Sequence, residues 1–518
     1  MFEQFDVMSA EDAFDQYFAE GQPDIALNVL RTQLIGHPNS PAKTAVIEHG
    51  YIDLDFSDGY YSQVGRAFSP TTRSTKRVHF FSKVFTKRRL LSLSSASQKY
   101  LGDSYLGYTV LRPGSRETIG RTFIVPPRVV NGRSAYYPTS FRMPANLAGL
   151  SLIADSCPYI SQDRRLLACA TASLWMASIP LAAKLADLAA HTTTEITAMG
   201  LGVSRPFSPI SPFSPIIGGK GLRIDQMEHA LIGMKCDPHI WQYPSYVEAF
   251  DACHLYVESG IAPIMILSIP AQNVGGIPIG PGLHAVTIMG HTMDTTSWSG
   301  NQLATNVYST AEFVPEFVIH DDQSGPYLTA RFSPVKIGDY RTQVDVDIGV
   351  GTYVAYCKAL IAPVPTRVMY EGSIAQRQSA VYIDYLRSEG LLEDRRMMSR
   401  TLLIRANQYK EALSNRGDMP SRLRNIYRSL PMPRYIWLVE FGYLEDWIDG
   451  QSIDQAVRGE LIIDSTNPYF DGDEFVPLAG HVPGAVVVVN VQDEQQVMQS
   501  YHLGDDRGYR TLPVTSRP

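Results

Sequence analysis

The sequence predicts an α+β protein. Three observations carry that expectation. Residues 44–145 alternate apolar and polar positions in the manner of strands. Helical patterning follows from Cys169 to Ser259. Three apolar runs come next, Ala262–Ile269, Leu283–Gly290 and Phe317–His320, each too short for a typical helix.

At 518 residues the chain exceeds one ordinary core and predicts several domains. Residues 1–145 read as an N-terminal accessory domain, short helices and then mostly β. Residues 146–365 carry the chemistry, and residues 366–518 form a C-terminal accessory domain of mixed α and β character. Hydrophobic residues make up 44% and charged residues 19%, the balance of a folded chain. A net charge of −7 leaves no electrostatic footprint for nucleic acid. The one basic run, Lys83–Arg89, reads as a solvated strand end. Five cysteines, at 157, 169, 236, 253 and 357, form no CxxC pair, which argues against a disulfide framework and a zinc cluster. The N-terminus is acidic and lacks signal-peptide character, and no apolar run approaches the ~20 residues of a membrane span. The expectation is a soluble cytoplasmic protein, with non-classical export leaving the same signature.

The elements follow in order. Ser9 and Asp12 open a capped helix in which Ala13, Phe14, Tyr17 and Phe18 recur at helical spacing. Gly21 and Pro23 break it, and Ile25–Leu34 forms a second helix. Val46–Phe56, Arg77–Phe81, Tyr105–Leu111 and Thr122–Val125 read as strands, with His49 and His79 as packing or hydrogen-bonding residues. Cys169 begins an apolar helix that Pro180 interrupts. Thr192 and Glu195 form a capping box, Ser204–Lys220 is a loop, and Arg223–Gly233 is amphipathic. A helix over Tyr246–Ser259 ends at Gly260. Thr292–Asn306 reads as a polar hairpin tip beside the active site. Ser373–Arg387 and Met398–Leu413 look helical; Tyr435–Glu440, Leu461–Asp464 and Val486–Val491 look like strands, before a polar tail.

Four residues form a kit for thiol-based acyl transfer. A cysteine attacks as thiolate, which a helix N-terminus and a neighbouring histidine both favour. Cys169 has the first, and His284 supplies the second. On Leu283–Gly290 the period of two puts His284, Val286 and Ile288 on one face, directed at a core or cleft. Phe317, Ile319 and Asp321 likewise share a face, so Asp321 continues an apolar row and calls for a partner. Asp321 is the expected orienter of His284, with Asp322 as its rival. The backbone N–H of Cys169 and the side-chain amide of Gln162 are the expected oxyanion donors. Cys157 is the rival nucleophile, but Pro158 follows it and no helix does. Cys236, Cys253 and Cys357 read as buried thiols. His291 is expected to be exposed, His320 to be structural, and Trp175 to be core.

Order and local text resemble the papain-like cysteine peptidase superfamily, and within it the compact bacterial branch of double-glycine leader peptidases. The resemblance rests on Gln162-x6-Cys169 followed by Ala-Thr-Ala-Ser, on His284-Ala285-Val286-x3-Gly290, and on Ile319-His320-Asp321-x3-Gly325-Pro326. Gly221–Gly233 and Gly260–Pro263 fit the intervening elements, so about 200 of 518 residues are covered. Three features depart from the pattern. Asp322 stands where the branch usually has proline. Ala170 follows the cysteine where the family often has glycine, and the 37-residue interval from His284 to Asp321 is long.

The resemblance implies a papain-like core, with the nucleophile on a helical half and His/Asp on an antiparallel sheet. It implies a cysteine peptidase acting on a protein or peptide, without metal or organic cofactor. Transglutaminase, deamidase or ligase chemistry would use the same acyl-enzyme. A catalytically silent papain-like scaffold is the reading from outside enzymology. The flanking domains exceed what bare proteolysis needs and are expected to select a protein partner or restrain access to the cleft.

Overall fold

The computed structural model describes residues 4–18, 25–36, 41–62, 72–92, 94–113, 118–161, 169–185, 188–202, 221–296, 298, 300–414, 421–448, 457–467, 477–482, 485–492 and 495–502. The chain is α+β and folds as two compact units. The first comprises Met1–Tyr246, Ile261–Thr292 and Glu316–Pro363; the second takes Val247–Gly260, Met293–Pro315 and Val364–Pro518. The units are interleaved along the chain. The expected boundary at 145/146 falls inside the strand Phe141–Leu147, and that at 365/366 falls just after the second unit resumes at Val364.

The first unit holds two large sheets. One is antiparallel, in the order Phe5–Ser9, Thr44–Tyr51, Thr75–Phe81, Tyr105–Arg112, Thr118–Ile124, Leu150–Tyr159, Phe141–Leu147. Ser9 caps the helix Ala10–Tyr17 by accepting from the Asp12 N–H. The strand expected over Val46–Phe56 stops at Tyr51. Asp53 Oδ1 accepts the Phe56 N–H at 3.0 Å, and the helix Leu54–Ser62 begins there. A local N-cap overrides the alternating pattern.

The second sheet closes on itself. Ile264–Ile269 pairs antiparallel with Gly282–Met293 on one side and Thr352–Ala362 on the other. Gly282–Met293 leads through Phe317–Asp321, Gly325–Ile337 and Tyr340–Asp347 back to Thr352–Ala362, each pair antiparallel. Six strands thus form a ring without an open edge along its circuit. Their interior is filled by buried Val286, Ile288, Ile319, Leu328, Val344 and Ala355, among others.

Against this ring packs the helix Cys169–Lys184, which runs through Pro180 rather than breaking there. Proline removes one backbone donor, and burial of Leu174, Trp175, Met176 and Leu181 holds the remainder helical. Thr193–Leu201 starts with the expected Thr192/Glu195 capping box, and Ile224–Gly233 buries Met227, Ala230 and Leu231. The expected loop 204–220 lies outside the described residues apart from its flanks, as does the polar tail beyond 502.

In the second unit eight strands follow the order Gln302–Ala304, Val307–Ser309, Met397–Arg405, Tyr435–Tyr443, Val457–Asp464, Ala479–Val482, Ala485–Gln492, Gln495–His502. One expectation changes in this unit. The insertion 292–306 belongs to it from Met293 on. Its hairpin leads into Val307–Ser309, which pairs in parallel with Met397–Arg405. The segment Met398–Leu413 is not one helix: Met397–Arg405 is a strand, and only Ala406–Ser414 is helical. Pairing on both edges overrides the helical spacing of its apolar residues.

One face of this sheet carries a core of Leu402, Ile404, Leu438, Ile462, Tyr409 and Tyr427, among others. The same face carries a buried polar row. Arg400 stands opposite Glu440, Glu440 opposite Glu460, and Glu460 opposite His481. All four are at most 2% exposed. Arg400 Nε donates to Glu440 Oε2 at 3.0 Å, and its Nη1 donates to Glu258 Oε2 at 3.3 Å. Tyr409 OH donates to Glu460 Oε2 at 2.6 Å, and Tyr427 OH lies 2.6 Å from His481 Nδ1.

Removing one member of a buried ion pair strands its partner. Arg400→Met is therefore expected to destabilise the protein by about 3–5 kcal/mol, whereas Arg400→Met with Glu440→Leu recovers most of that loss. Urea unfolding of the three proteins checks this, and equal midpoints for the single variant and wild type would contradict it.

Candidate active site

Cys169 is the first residue of its helix and is half-buried. One turn on, at the spacing that shares a helix face, Ser173 ties the helix to the strand Gly282–Met293. Ser173 Oγ donates to the Ala285 carbonyl at 3.0 Å, and Thr287 Oγ1 donates to the Ser173 carbonyl at 3.3 Å. Both bonds engage the strand just after His284 and hold the helix start beside it. The Cys169 thiol lies close enough to the His284 ring to help raise its pKa.

The strands supply the third group. Thr287 pairs with His320 and Ile288 with Ile319. Continued antiparallel pairing sets Asp321 on the face of Val286 and His284, a diagonal neighbour within reach of a long side chain. His284 Nε2 lies 2.8 Å from Asp321 Oδ1. That oxygen also accepts the backbone N–H of Gln323 at 2.9 Å and of Ser324 at 3.2 Å. Tyr353 OH donates to Oδ2 at 3.0 Å. The turn ends at Gly325, with φ +128°, where an added Cβ would meet Val29 at 2.8 Å. Asp321 is thus aimed by its own turn and by Tyr353 of another strand, while the helix Ile25–Ile35 packs against the end of that turn at Gly325.

Electrostatics follow from burial and charge. Burial alone would lower the His284 pKa. The Asp321 charge and hydrogen bond, the Cys169 hydrogen bond and the Asp322 charge instead hold it well above the usual histidine value. Burial would raise Asp321, but His284 and the turn donors bring it to about 2. Burial pushes Asp322 up to about 7, with Asp321 repelling its charge and His284 opposing the rise. Asp322 Oδ1 is 3.7 Å from His284 Nε2, and neither of its oxygens has a hydrogen-bond partner. Of the two rival carboxylates, Asp321 is the one bonded to the ring.

Three of the four expected site residues, Cys169, His284 and Asp321, come together. Gln162 lies outside the described residues. Two contacts had no strong sequence signal. Gln323, exposed, puts Nε2 3.4 Å from His284 Nδ1, and only its place in the turn after Asp321 pointed to it. Tyr353 comes from a strand brought in by ring closure, which nothing near it in sequence announces.

The other candidates are placed elsewhere. Burial pushes the thiols of Cys157, Cys236 and Cys357 up to about 11, 12 and 12, and Cys253 is also buried. His320 faces away from Asp321 and donates Nδ1–H to the Pro158 carbonyl at 2.9 Å, with burial lowering its pKa to about 3. His291, expected to be exposed, is buried. Its strand continues to Met293, and the Tyr136 ring stacks on it at 5.9 Å. His49 bonds Asp6 at 2.6 Å, and His79 bonds Tyr105 at 2.9 Å. Trp175 is core. His284, Asp321 and Asp322 offer ligand atoms within 4.8 Å of one another, so this trio could hold a metal ion. No family model matches the chain, and no curated protein matches it.

A carboxyl held protonated up to about 7 in the fold, against ~4 unfolded, loses stability as pH rises through that window. Asp321 works in the opposite direction: held at about 2, it contributes stability above pH ~4 that is lost as pH falls towards 2. Asp322→Asn is therefore expected to stabilise the protein above pH 7, by about 2–4 kcal/mol, and to flatten the decline between pH ~4 and ~7. Denaturation at a series of pH values checks this. An unchanged slope would show that Asp322 ionises freely.

Proposed function

We propose that the chain is a thiol-dependent hydrolase, a cysteine peptidase with a papain-like core. One observation carries this reading: His284 Nε2 lies 2.8 Å from Asp321 Oδ1, and the Cys169 thiol at the helix start is close enough to the same ring to favour its protonation. The surroundings support it. A nucleophile at a helix N-terminus, facing a closed antiparallel sheet that carries histidine and then aspartate, fits that superfamily in both chain order and architecture.

The roles follow from the chemistry. With Nε2–H directed at Asp321, Nδ1 is the nitrogen left to exchange a proton with the thiol. The positive helix end and the imidazolium both favour the thiolate. The thiolate attacks the peptide carbonyl carbon, and the electron pair moves to oxygen. Gln162 and the Cys169 N–H are the assigned donors to that oxyanion. Collapse of the tetrahedral intermediate breaks the C–N bond, and Nδ1–H of His284 protonates the departing amine. Neutral His284 then takes a proton from water, whose oxygen attacks the thioester. Cleavage of the C–S bond releases the acid and regenerates the thiolate–imidazolium pair. Asp321 keeps the ring oriented throughout.

The experiment is alkylation by iodoacetamide followed by peptide mapping, with a peptide-library hydrolysis assay. One fast-reacting thiol per chain is expected, because the other four cysteines are buried. Cys169→Ala is expected to abolish fast labelling and hydrolysis, and Asp321→Asn to slow turnover by roughly 10²–10⁴-fold. Equal labelling of Cys169→Ala and wild type would overturn the reading. Product masses distinguish hydrolysis from transfer to an amine.

A further inference from the structure

Asp322 takes no part in the steps above, and the site accommodates it poorly. Its side chain is fully buried, and neither carboxylate oxygen has a donor. Buried carboxylates are ordinarily hydrogen-bonded, ion-paired or bound to metal. The nearest cationic group is the His284 ring, already bonded to Asp321. Two carboxylates thus face one imidazole, which carries at most one positive charge. A divalent cation would balance both.

We infer that His284 Nε2, Asp321 and Asp322 form a Zn²⁺ site whose occupation switches Cys169 off. The ligand atoms lie within 4.8 Å of one another. Tetrahedral zinc bonded at ~2.0–2.2 Å to nitrogen and oxygen sets its ligand atoms about 3.3 Å apart. The two N–O distances here, 2.8 and 3.7 Å, straddle that value, so small shifts admit the ion. One imidazole with two carboxylates suits zinc better than the all-oxygen sets preferred by magnesium or calcium. Tyr353 OH and the N–H groups of Gln323 and Ser324 already hold Asp321 as outer-shell donors. The His284 side chain keeps 6% of its surface exposed, and Gln323, whose Nε2 lies 3.4 Å from its Nδ1, is exposed.

The consequence for the thiol is chemical. Zinc needs the Nε2 lone pair, so the Nε2 proton leaves to solvent. The imidazolium thereby becomes a neutral ring with its one proton on Nδ1; the Cys169 thiolate, having lost this positive neighbour, takes a proton from solvent, and the ring, with Nδ1 filled, cannot take it back. The ion acts as an inhibitor. This effect rests on the thiol-hydrolase reading; the binding itself does not.

Equilibrium dialysis of the chelator-stripped full chain against ZnCl₂ tests binding without turnover. One zinc per chain is expected. Asp322→Asn should weaken binding at least ~10–100-fold, while Cys169→Ala leaves it unchanged. Zinc should slow alkylation of Cys169 in the wild type and not in Asp322→Asn. No binding to the wild type, undiminished binding to Asp322→Asn, or loss in Cys169→Ala would each overturn the site. If Asp322→Asn does not fold, the wild-type Tm still decides, since absence of a zinc-dependent rise also overturns it. Stoichiometric binding with no slowing of alkylation would overturn the switch. Failure of the thiol reading itself is seen separately, as equal labelling of Cys169→Ala in zinc-free buffer.

Discussion

The six-residue strand Ile264–Ile269 is the closure on which the candidate site depends. It pairs with the histidine strand on one side and with the strand that delivers Tyr353 on the other. With it in place the antiparallel circuit is complete, and its backbone donors and acceptors are satisfied along both edges. His284, Asp321 and Tyr353 come from three different strands, yet ring closure fixes their separations together. The helix bearing Cys169 then needs two hydrogen bonds through Ser173 to bring the thiol to the ring.

Electrostatics at the site are set by an imbalance. One imidazole faces two adjacent carboxylates, and the protein treats them differently. Asp321 receives two backbone donors, a tyrosine hydroxyl and the imidazole. Asp322 receives no hydrogen bond at all. Adjacent strand residues point to opposite sides, but the turn begins here, so both carboxyls approach the ring from one end. The same fork bears on both proposals made for this site.

Much of the site was legible in the sequence because its determinants are local. The two-residue period placed His284 and Asp321 on shared faces, and the helix start placed Cys169. The capping box at Thr192 and the glycine stop at Gly260 were equally local. What was not legible depended on distant pairing. Met397–Arg405 has spacing that suits a helix, and two neighbouring strands make it a strand. Leu54–Phe56 continues an alternating pattern, and one capping aspartate turns it helical. His291 looked like a strand end, but the strand runs on and buries it. Tyr353 reaches the site only through the closed ring.

The buried row Arg400, Glu440, Glu460 and His481 bears on more than stability. Side chains alternate faces along a strand, so a slip of one residue sends a strand's whole apolar set to the wrong side. An apolar face tolerates some slips, because one aliphatic residue packs much like another. A charged row does not. Sliding any of these four strands by one position would carry its polar member out of the row and leave a neighbour's charge or hydrogen bond unanswered within the core. The row thus works as an alignment mark, written once across four strands, that admits a single register.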